Sequence, residues 1–520
     1  MRNTKSQTPN PKKIPNPKRE RESSLCPCVS RLRRLKFGTW GFLGIWILVF
    51  GIFWAGCSVG PNYHPPKVAA SGEWSEPLEG GATNRTTLAA EWWTTFNDPK
   101  LNSLIARAVQ SNYDLRIAEA RLRQARAQRR FSTADFWPTV DASASYARER
   151  ASEHGNQPAF PNVPLENNLY QAGFDAAWEI DVFGGKRRAL EAATADVAAS
   201  LEDRSDTVVS LLAEVARNYI ELRGLQQRLI ITRDNIKSQQ DALEVTQARF
   251  KGGVASELDV TQAAALLAST RSQLPALETS LKQTMHQLAV LLGQQPGALL
   301  AELSEDAPIP PTPPAVPVGL PSELLRRRPD VRRAERQLAA ATARIGVQTA
   351  ELFPKFSLTG VAGLQSVSAS DWFAGGSKFW SAGPTVQWRV LDAGRIRANI
   401  RVQTAKQEEA LAVYEKTVLT SLQDVENALV AYAKEQVRYR SLKDEADANR
   451  RGVELANELY TKGLADFLNV LDAQRSLYQA EDQLVQSEKT ISQNLVALYK
   501  ALGGGWETET RFAQGQPSTR

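Results

Sequence analysis

Cysteine is almost missing from this sequence: Cys26, Cys28 and Cys57 are the only three in 520 residues. Beyond Cys57 the chain can therefore form neither a disulfide nor a thiolate metal site. Histidine is equally scarce, and His64, His154 and His286 lie far apart in unrelated local contexts. No HExxH helix, nucleophile elbow or phosphate-cradling glycine loop appears. With no catalytic constellation and no cofactor site, the sequence is not expected to be an enzyme.

Charge is absent from one long stretch, residues 37–56, which is also the longest apolar run. Residues 1–36 before it hold eleven Lys/Arg against Glu20 and Glu22, a net of +9, so a chain of overall charge +6 is left at −3 from Cys57 onward. The basic character belongs to a leader, which removes the main support for a nucleic-acid partner. A basic segment ending in Arg31-Leu32-Arg33-Arg34-Leu35-Lys36, an apolar run and small residues make an export signal over 1–56. Ala55-Gly56-Cys57 looks like a bacterial lipobox, with Cys57 as the lipidated first residue after processing, although Trp54 stands where Leu is usual. The alternative is an uncleaved anchor, since about 20 apolar residues suffice to span a bilayer.

The chain is duplicated. At an offset of 210, Ala172-Gly173 falls on Ala382-Gly383, Trp178 on Trp388, Gly253 on Gly463, Leu258 on Leu468 and Leu292-Gly293 on Leu502-Gly503. Earlier in each half the offset is 216, pairing Asp114 with Asp330, Leu122 with Leu338 and Pro138 with Pro354. A loop between those stretches must absorb the six-residue difference. Pro308–Pro321 separates the halves as an extended connector. The expected organisation is a signal peptide at 1–56, a lipidated extended segment at 57–98, repeat 1 at 99–305, a Pro-rich linker at 306–320, repeat 2 at 321–503 and a tail at 504–520. Each repeat reads as helix, two strands, very long helix, sharp turn and helix.

The expected strands alternate. Phe174, Ala176, Trp178, Ile180 and Val182 share one face, with Asp175, Ala177, Glu179 and Asp181 on the other. The repeat partner sets Trp380, Ala382, Pro384, Val386, Trp388 and Val390 against Ser381, Gly383, Thr385, Gln387 and Arg389. Val140/Ala142/Ala144/Tyr146 and Phe356/Leu358/Gly360/Ala362/Leu364 form the apolar faces of the two preceding strands. Ten-residue segments of this kind suit a membrane barrel with a wet interior. Four strands cannot close one, because small barrels begin at about eight and lipid does not tolerate an open edge. Several chains must share a barrel; two copies would give eight strands and three would give twelve, and arithmetic leaves both open. The proline-free run 186–251 carries a heptad seam of Leu212, Val215, Tyr219, Leu222, Gln226, Leu229, Arg233 and Ile236. Its partner seam is Leu422, Val425, Leu429, Tyr432, Gln436, Tyr439, Lys443 and Ala446. A helix of that length runs about 100 Å and is too polar for lipid, so it is expected to project into water as a coiled coil.

These features sit among motifs that resemble the TolC-like outer membrane factors, in their lipoprotein (OprM/NodT-like) branch. The resemblance runs from Cys57 to Trp506. It includes Cys57-Ser58-Val59-Gly60-Pro61-Asn62-Tyr63, Trp92-Trp93 with Phe96 and Asp98-Pro99, and Arg327-Arg328-Pro329-Asp330-Val331-Arg332. It continues through Phe353-Pro354 and the run Asn469-Val470-Leu471-Asp472-Ala473-Gln474 to Leu502-Gly503-Gly504-Gly505-Trp506. The resemblance implies a mixed α+β membrane protein, a two-repeat protomer giving four strands to a trimeric 12-stranded outer-membrane barrel. Its long helices would form a periplasmic α-barrel tunnel. The implied role is the exit channel of a tripartite efflux pump for small molecules, working with an inner-membrane transporter and a periplasmic adaptor, with no cofactor. The rival readings are the exit duct of a protein-secretion system and a coiled-coil scaffold anchored in the inner membrane.

The resemblance also places sites. The turns containing Gly252, Gly253, Val254 and Ala255, and Gly463, Leu464 and Ala465, match the family's adaptor-docking tips. Leu468 and Asp472 share a helix face by their spacing and, with Asn469, match positions that point into the tunnel as a periplasmic gate. The tyrosine and arginine links that hold some relatives shut are not evident, since Asp466 stands where an arginine would be expected. Closure is therefore expected to rest on Leu468.

Overall fold

The computed structural model describes residues 58–66, 73–83, 90–152 and 165–508. The leader, Cys57 and His154 lie outside the described residues. In repeat 1, helix α1 (Pro99–Ser111) starts at Asp98, whose carboxylate accepts the N–H groups of Lys100 and Leu101, with Pro99 at the first helical position. Helix α2 (Tyr113–Ala134) starts at Asn112, whose side chain accepts from Leu115 N at 3.0 Å. Strands β1 (Thr139–Arg150) and β2 (Glu166–Ile180) follow, then the long helix α3 (Gly185–Lys251) and helix α4 (Glu257–Leu291). Repeat 2 adds the short helix α5 (Pro321–Arg327), α6 (Pro329–Ala350), β3 (Lys355–Ser366), β4 (Lys378–Gln387), the second long helix α7 (Arg395–Thr461) and α8 (Phe467–Ala501).

The duplication is written into the element boundaries. Shifting α2 and β1 by 216 gives the bounds of α6 and β3; shifting α3 and α4 by 210 gives those of α7 and α8. The six-residue difference falls between the two strands of each repeat: the link 151–165 is four residues longer than 367–377, and β2 begins two residues before the counterpart of the start of β4. Hydrogen bonds repeat as well. The Trp178 indole donates to Phe136 O at 2.8 Å, and its counterpart Trp388 donates to Leu352 O at 3.1 Å.

The four strands form one antiparallel sheet in the order β1-β2-β3-β4, so β2 against β3 joins the two repeats. The register aligns Val140 with Ala176, Phe174 with Ala362, Trp178 with Leu358, and Leu358 with Pro384. All even-numbered strand residues therefore share one face, and the four expected apolar stripes merge into one apolar surface. On a single chain it is open: Val140 is 63% exposed, Phe174 62% and Trp380 79%. The other face carries Asp141, Ser143, Asp175, Glu179, Ser357, Thr359 and Thr385. At the seam between repeats Gly173 faces Gly363 on this polar side, and the Phe379 ring lies over Gly363. An aromatic ring covering a strand glycine restores packing that the glycine itself lacks.

The second strand of each repeat ends earlier than the alternation suggested. β2 stops at Ile180 rather than Val182, and β4 at Gln387 rather than Val390. The chain is recruited into helix starts instead. Asp181 accepts the N–H groups of Lys186 and Arg187, and Asp392 accepts those of Gly394 and Ile396. Gly184 (φ 79°) and Gly394 (φ 83°) make the left-handed turns into α3 and α7.

The core sits partway along the long helices, away from the sheet. Trp92, Phe96, Leu101, Leu104, Tyr219, Leu222, Tyr432 and Tyr499 are all buried in one cluster, with Trp92 stacked on Tyr499 at 5.1 Å. Burying each such side chain contributes about 1.5–3 kcal/mol. The seam holds from Leu212 to Leu229 and then moves. Arg233 and its repeat partner Lys443 are exposed, while Thr232, Gln239 and Thr246 are buried. A straight helix drifts by about 20° per heptad, which carries the first seam off its stripe after Leu229, while the second is buried again at Ala446.

A methyl added at Gly363 would lie 2.3 Å from Ala172 O and 2.7 Å from Gly173 Cα, whereas one at Gly360 meets nothing nearer than 3.7 Å. Gly363→Ala should therefore weaken the sheet by about 1–3 kcal/mol, the usual cost of overpacking, and Gly360→Ala should not. Heat-modified gel mobility of the purified protein reads the difference; equal midpoints for both variants would refute the tight seam.

Candidate functional site

The two long helices end in the same device. Gly253 N donates to Phe250 O and Val254 N to Arg249 O; at the other tip Gly463 N donates to Tyr460 O and Leu464 N to Leu459 O. Gly253 (φ 74°) and Gly463 (φ 71°) occupy the left-handed position of this helix-ending motif. Gly252 does not need to be glycine: its φ of −82° is ordinary, and Lys462 fills the equivalent place. The residue after the left-handed glycine usually folds back onto the last helical turn. Here it does not, since Val254 is 67% exposed and Leu464 72%. Ala255 and Ala465 are half-buried beside them. Each tip thus presents a bare aliphatic side chain to its surroundings.

The helices after the tips start differently. Ser256 and Asp259 form a reciprocal capping box at α4, with bonds of 3.2 and 3.0 Å. Asp466, at the start of α8, makes no side-chain cap bond. Phe467, Val470 and Leu471 turn inward there, while Leu468, Asn469 and Asp472 lie on the exposed face, with Leu468 at 53%. The structure therefore brings the three gate candidates together on one open surface and does not bury Leu468 in the seam. Asp472 pairs with Arg475 at 3.0 Å, one turn along the same helix.

Sequence reasoning missed one contact at this end. Arg249, in the last turn of α3, donates to Tyr460 O at 3.1 Å and stands 4.4 Å from the centroid of the Tyr460 ring. Tyr460 in turn packs on Phe467 at 5.1 Å. The guanidinium meets carbonyls at the C-terminal end of α7, where Tyr460 O also accepts from Gly463 N and the negative end of the helix dipole lies. An arginine–tyrosine link therefore exists, but it comes from the first long helix rather than from the position of Asp466. Arg249 Nε and the Tyr460 hydroxyl are buried there with no hydrogen-bond partner among the described residues. Groups of this kind cost about 1–3 kcal/mol each, so the link is held at a cost.

Among the described residues no group of His, Cys, Asp or Glu could hold a metal, and no helix is long and apolar enough to cross a membrane.

The family model described as outer membrane efflux protein matches residues 104–294 and 320–504. The chain is 34% identical over 470 residues to the toluene efflux pump outer membrane protein TtgC of Pseudomonas putida, covering 89% of this chain and 96% of that one. It is 30% identical over 458 residues to nodulation protein T of Rhizobium leguminosarum bv. trifolii, covering 88% and 96%. The solved outer-membrane channel OprN superposes with a TM-score of 0.81 at 38% identity, over 87% of this chain and 100% of that one.

Arg249→Ala should loosen the end of α7. Hydrogen exchange over residues 455–466 should rise while exchange in the mid-helix core stays as in the parent, and Arg249→Lys should restore part of the protection. Unchanged exchange in Arg249→Ala would show that the contact carries no local stability.

Proposed function

The chain belongs to the outer membrane efflux protein family, and from that membership we infer that it is the outer-membrane exit duct of a tripartite efflux pump. The observation that carries this reading is the sheet: one face apolar across all four strands, the other polar, and both outer edges unpaired among the described residues. Such a sheet belongs in lipid only as part of a closed barrel. Three copies would close it with twelve strands, β4 of one against β1 of the next. The α3–α4 and α7–α8 hairpins would then stand side by side as a tunnel about 100 Å long. A relative named for toluene efflux points to small molecules as cargo for this chain too. The cargo would pass down the polar interior while an inner-membrane transporter does the work.

Three further assignments complete the proposal. Cys57 is the lipidated first residue after processing, anchoring the duct in the outer membrane. The exposed Val254 and Leu464 side chains, with Gly253, Ala255, Gly463 and Ala465, form the end on which helices of a periplasmic adaptor dock. Leu468, Asn469 and Asp472 line the periplasmic gate, where threefold symmetry turns each into a ring. A leucine ring closes by apolar contact, and an aspartate ring favours cations. Asp472 is screened by Arg475 in this arrangement, and Asn469 adds no charge, so cation preference should be moderate.

Planar-bilayer recordings test the gate. Leu468→Ala should raise resting conductance and Asp472→Ala should lower cation preference; parental behaviour in both places the gate elsewhere. Replacing Val254 or Leu464 with Glu should abolish crosslinking to the adaptor while the oligomer stays folded, and undiminished crosslinking would exclude the tips. Mass spectrometry of the mature chain checks the anchor: acyl mass on Cys57 is expected, and an unmodified Cys57 or retained residues 1–56 would remove it.

A further inference from the structure

The segment that follows Cys57 is not a loose tether. Val59 N donates to Phe183 O at 3.1 Å, just beyond the end of β2. Arg188, in the first turn of α3 and only 5% exposed, reaches along the same segment. Its Nε donates to Val59 O at 3.1 Å, and its Nη2 to Gly60 O at 3.3 Å and Asn62 Oδ1 at 2.6 Å. Its Nη1 is held by Glu191 at 2.8 Å. A little further on, the Tyr63 hydroxyl donates to Glu335 of α6 at 3.0 Å.

Glycines make the slot. A Cβ at Gly184 would lie 2.7 Å from Ser58 Cα, one at Gly60 2.4 Å from Gly346 Cα, and one at Gly346 2.7 Å from Arg188 Cγ. Three backbones and one arginine stem are packed as closely as glycine allows. The duplication supplies a control. The counterpart of Arg188 in repeat 2 is Ala398, and the counterpart of Gly346 in repeat 1 is Arg130. The slot exists only where the N-terminal segment runs, so it is not a by-product of packing a long helix on its neighbour.

We propose that Arg188 is an anchor-positioning residue, which clamps residues 58–62 so that the acyl chains on Cys57 enter the bilayer at the foot of the sheet. Cys57 adjoins Ser58, and consecutive Cα atoms are about 3.8 Å apart, so the lipidated residue has no slack. Its neighbour Ser58 packs against Gly184 in the turn from β2 into α3, and Val59 is bonded to Phe183, which stacks on Phe353 at 4.5 Å. Sheet and lipid thereby hold the chain at one height in the membrane, and Arg188 couples them. This rests on the reading of Cys57 as lipidated.

The test is hydrogen exchange and intact mass on the full processed protein in detergent, for the parent, Arg188→Ala, Arg188→Lys and Gly60→Ala. A hydrogen bond to a charged group contributes about 1.5–3 kcal/mol, so its loss should speed opening roughly tenfold or more. Arg188→Ala should speed exchange over 58–63 by that amount, with the sheet and α3 unchanged and the acyl mass intact. Arg188→Lys should fall between. Gly60→Ala, which alters only the segment, should reproduce the loss without touching α3. Parental protection of 58–63 in both Arg188→Ala and Gly60→Ala would overturn the clamp. So would a loss in Arg188→Ala that spreads through α3 while Gly60→Ala stays protected, since Arg188 would then be ordinary helix packing. If the parent shows 58–63 protected but Cys57 without acyl mass, the lipid reading fails and the anchor-positioning role falls with it, while the exchange data still report on the clamp.

Discussion

An apolar sheet with two free edges cannot stand alone in hydrocarbon, where every unpaired backbone N–H and C=O goes unsatisfied. The strands of this chain meet that condition on one side and break it on the other. The β2–β3 seam, with Gly173 against Gly363 under Phe379, joins the two repeats into one continuous surface. Among the described residues the outer edges of β1 and β4 remain open. In the proposed barrel the missing hydrogen bonds come from strands of further copies, and every other interaction is arranged around that assembly.

A sheet that turns its apolar face outward cannot supply the chain's own core. The large side chains that would fill a soluble β-sandwich are exposed here, and the buried cluster lies between the long helices instead. Polar groups stitch that region. Arg223 bonds Tyr219, Gln226 and Glu305 O, and Gln226 reaches Leu303 O, tying the end of repeat 1, just before the connector, onto α3. Arginines at the start of α6 do the same: Arg328, just before the helix, pairs with Asp330 and with Asp424 of α7, while Arg332 pairs with Glu202 and Arg333 with Asp203 and Asp206 of α3. Burial raises the Asp330 carboxyl, but the Arg328 guanidinium and the Val331 N–H outweigh it and hold the carboxyl below its ordinary range. That contribution is present above the usual carboxylate range and is lost as pH falls through the lowered value. Glu202 goes the other way, raised because burial outweighs Arg332.

Much of this was legible in the residues because the duplication gave every element a second witness. Two offsets, 210 and 216, gave the shared order of helices and strands in the two halves and called for a loop between the stretches they align, and alternation assigned the sheet faces. Strand ends were overestimated, because alternation continues through Val182 and Val390 while Asp181 and Asp392 draw the chain into helix. The first seam was followed too far, through Arg233 to Ile236, because a repeating pattern of seven hides the drift of a real helix, whereas its partner passes the exposed Lys443 and is buried again at Ala446. The Arg249–Tyr460 link was invisible for a different reason. Its partners are backbone carbonyls at a helix end, and no side-chain motif marks them.

Where the repeats agree, the residues serve the fold; where they differ, the symmetry is broken for a purpose. Trp178 and Trp388 make the same bond, and Gly253 and Gly463 the same turn. Arg188 faces Ala398, Arg249 faces Leu459, Asp259 faces Asn469 and Gln262 faces Asp472 across the duplication. The last two pairs lie in the first turns after the tips. The α4 start is fixed by its capping box, whereas the α8 start lacks a side-chain cap bond, a difference of about 1 kcal/mol in local stability. In the proposed ring of near-equivalent hairpins, closure requires that one of the two kinds move relative to the other. The hairpin bearing Leu468 and Asp472 is the one with the weaker start, and its partner helix end is held by Arg249 from the stiffer hairpin. The inequality of the repeats thus suits the weaker hairpin to the proposed gate and the stiffer one to its frame.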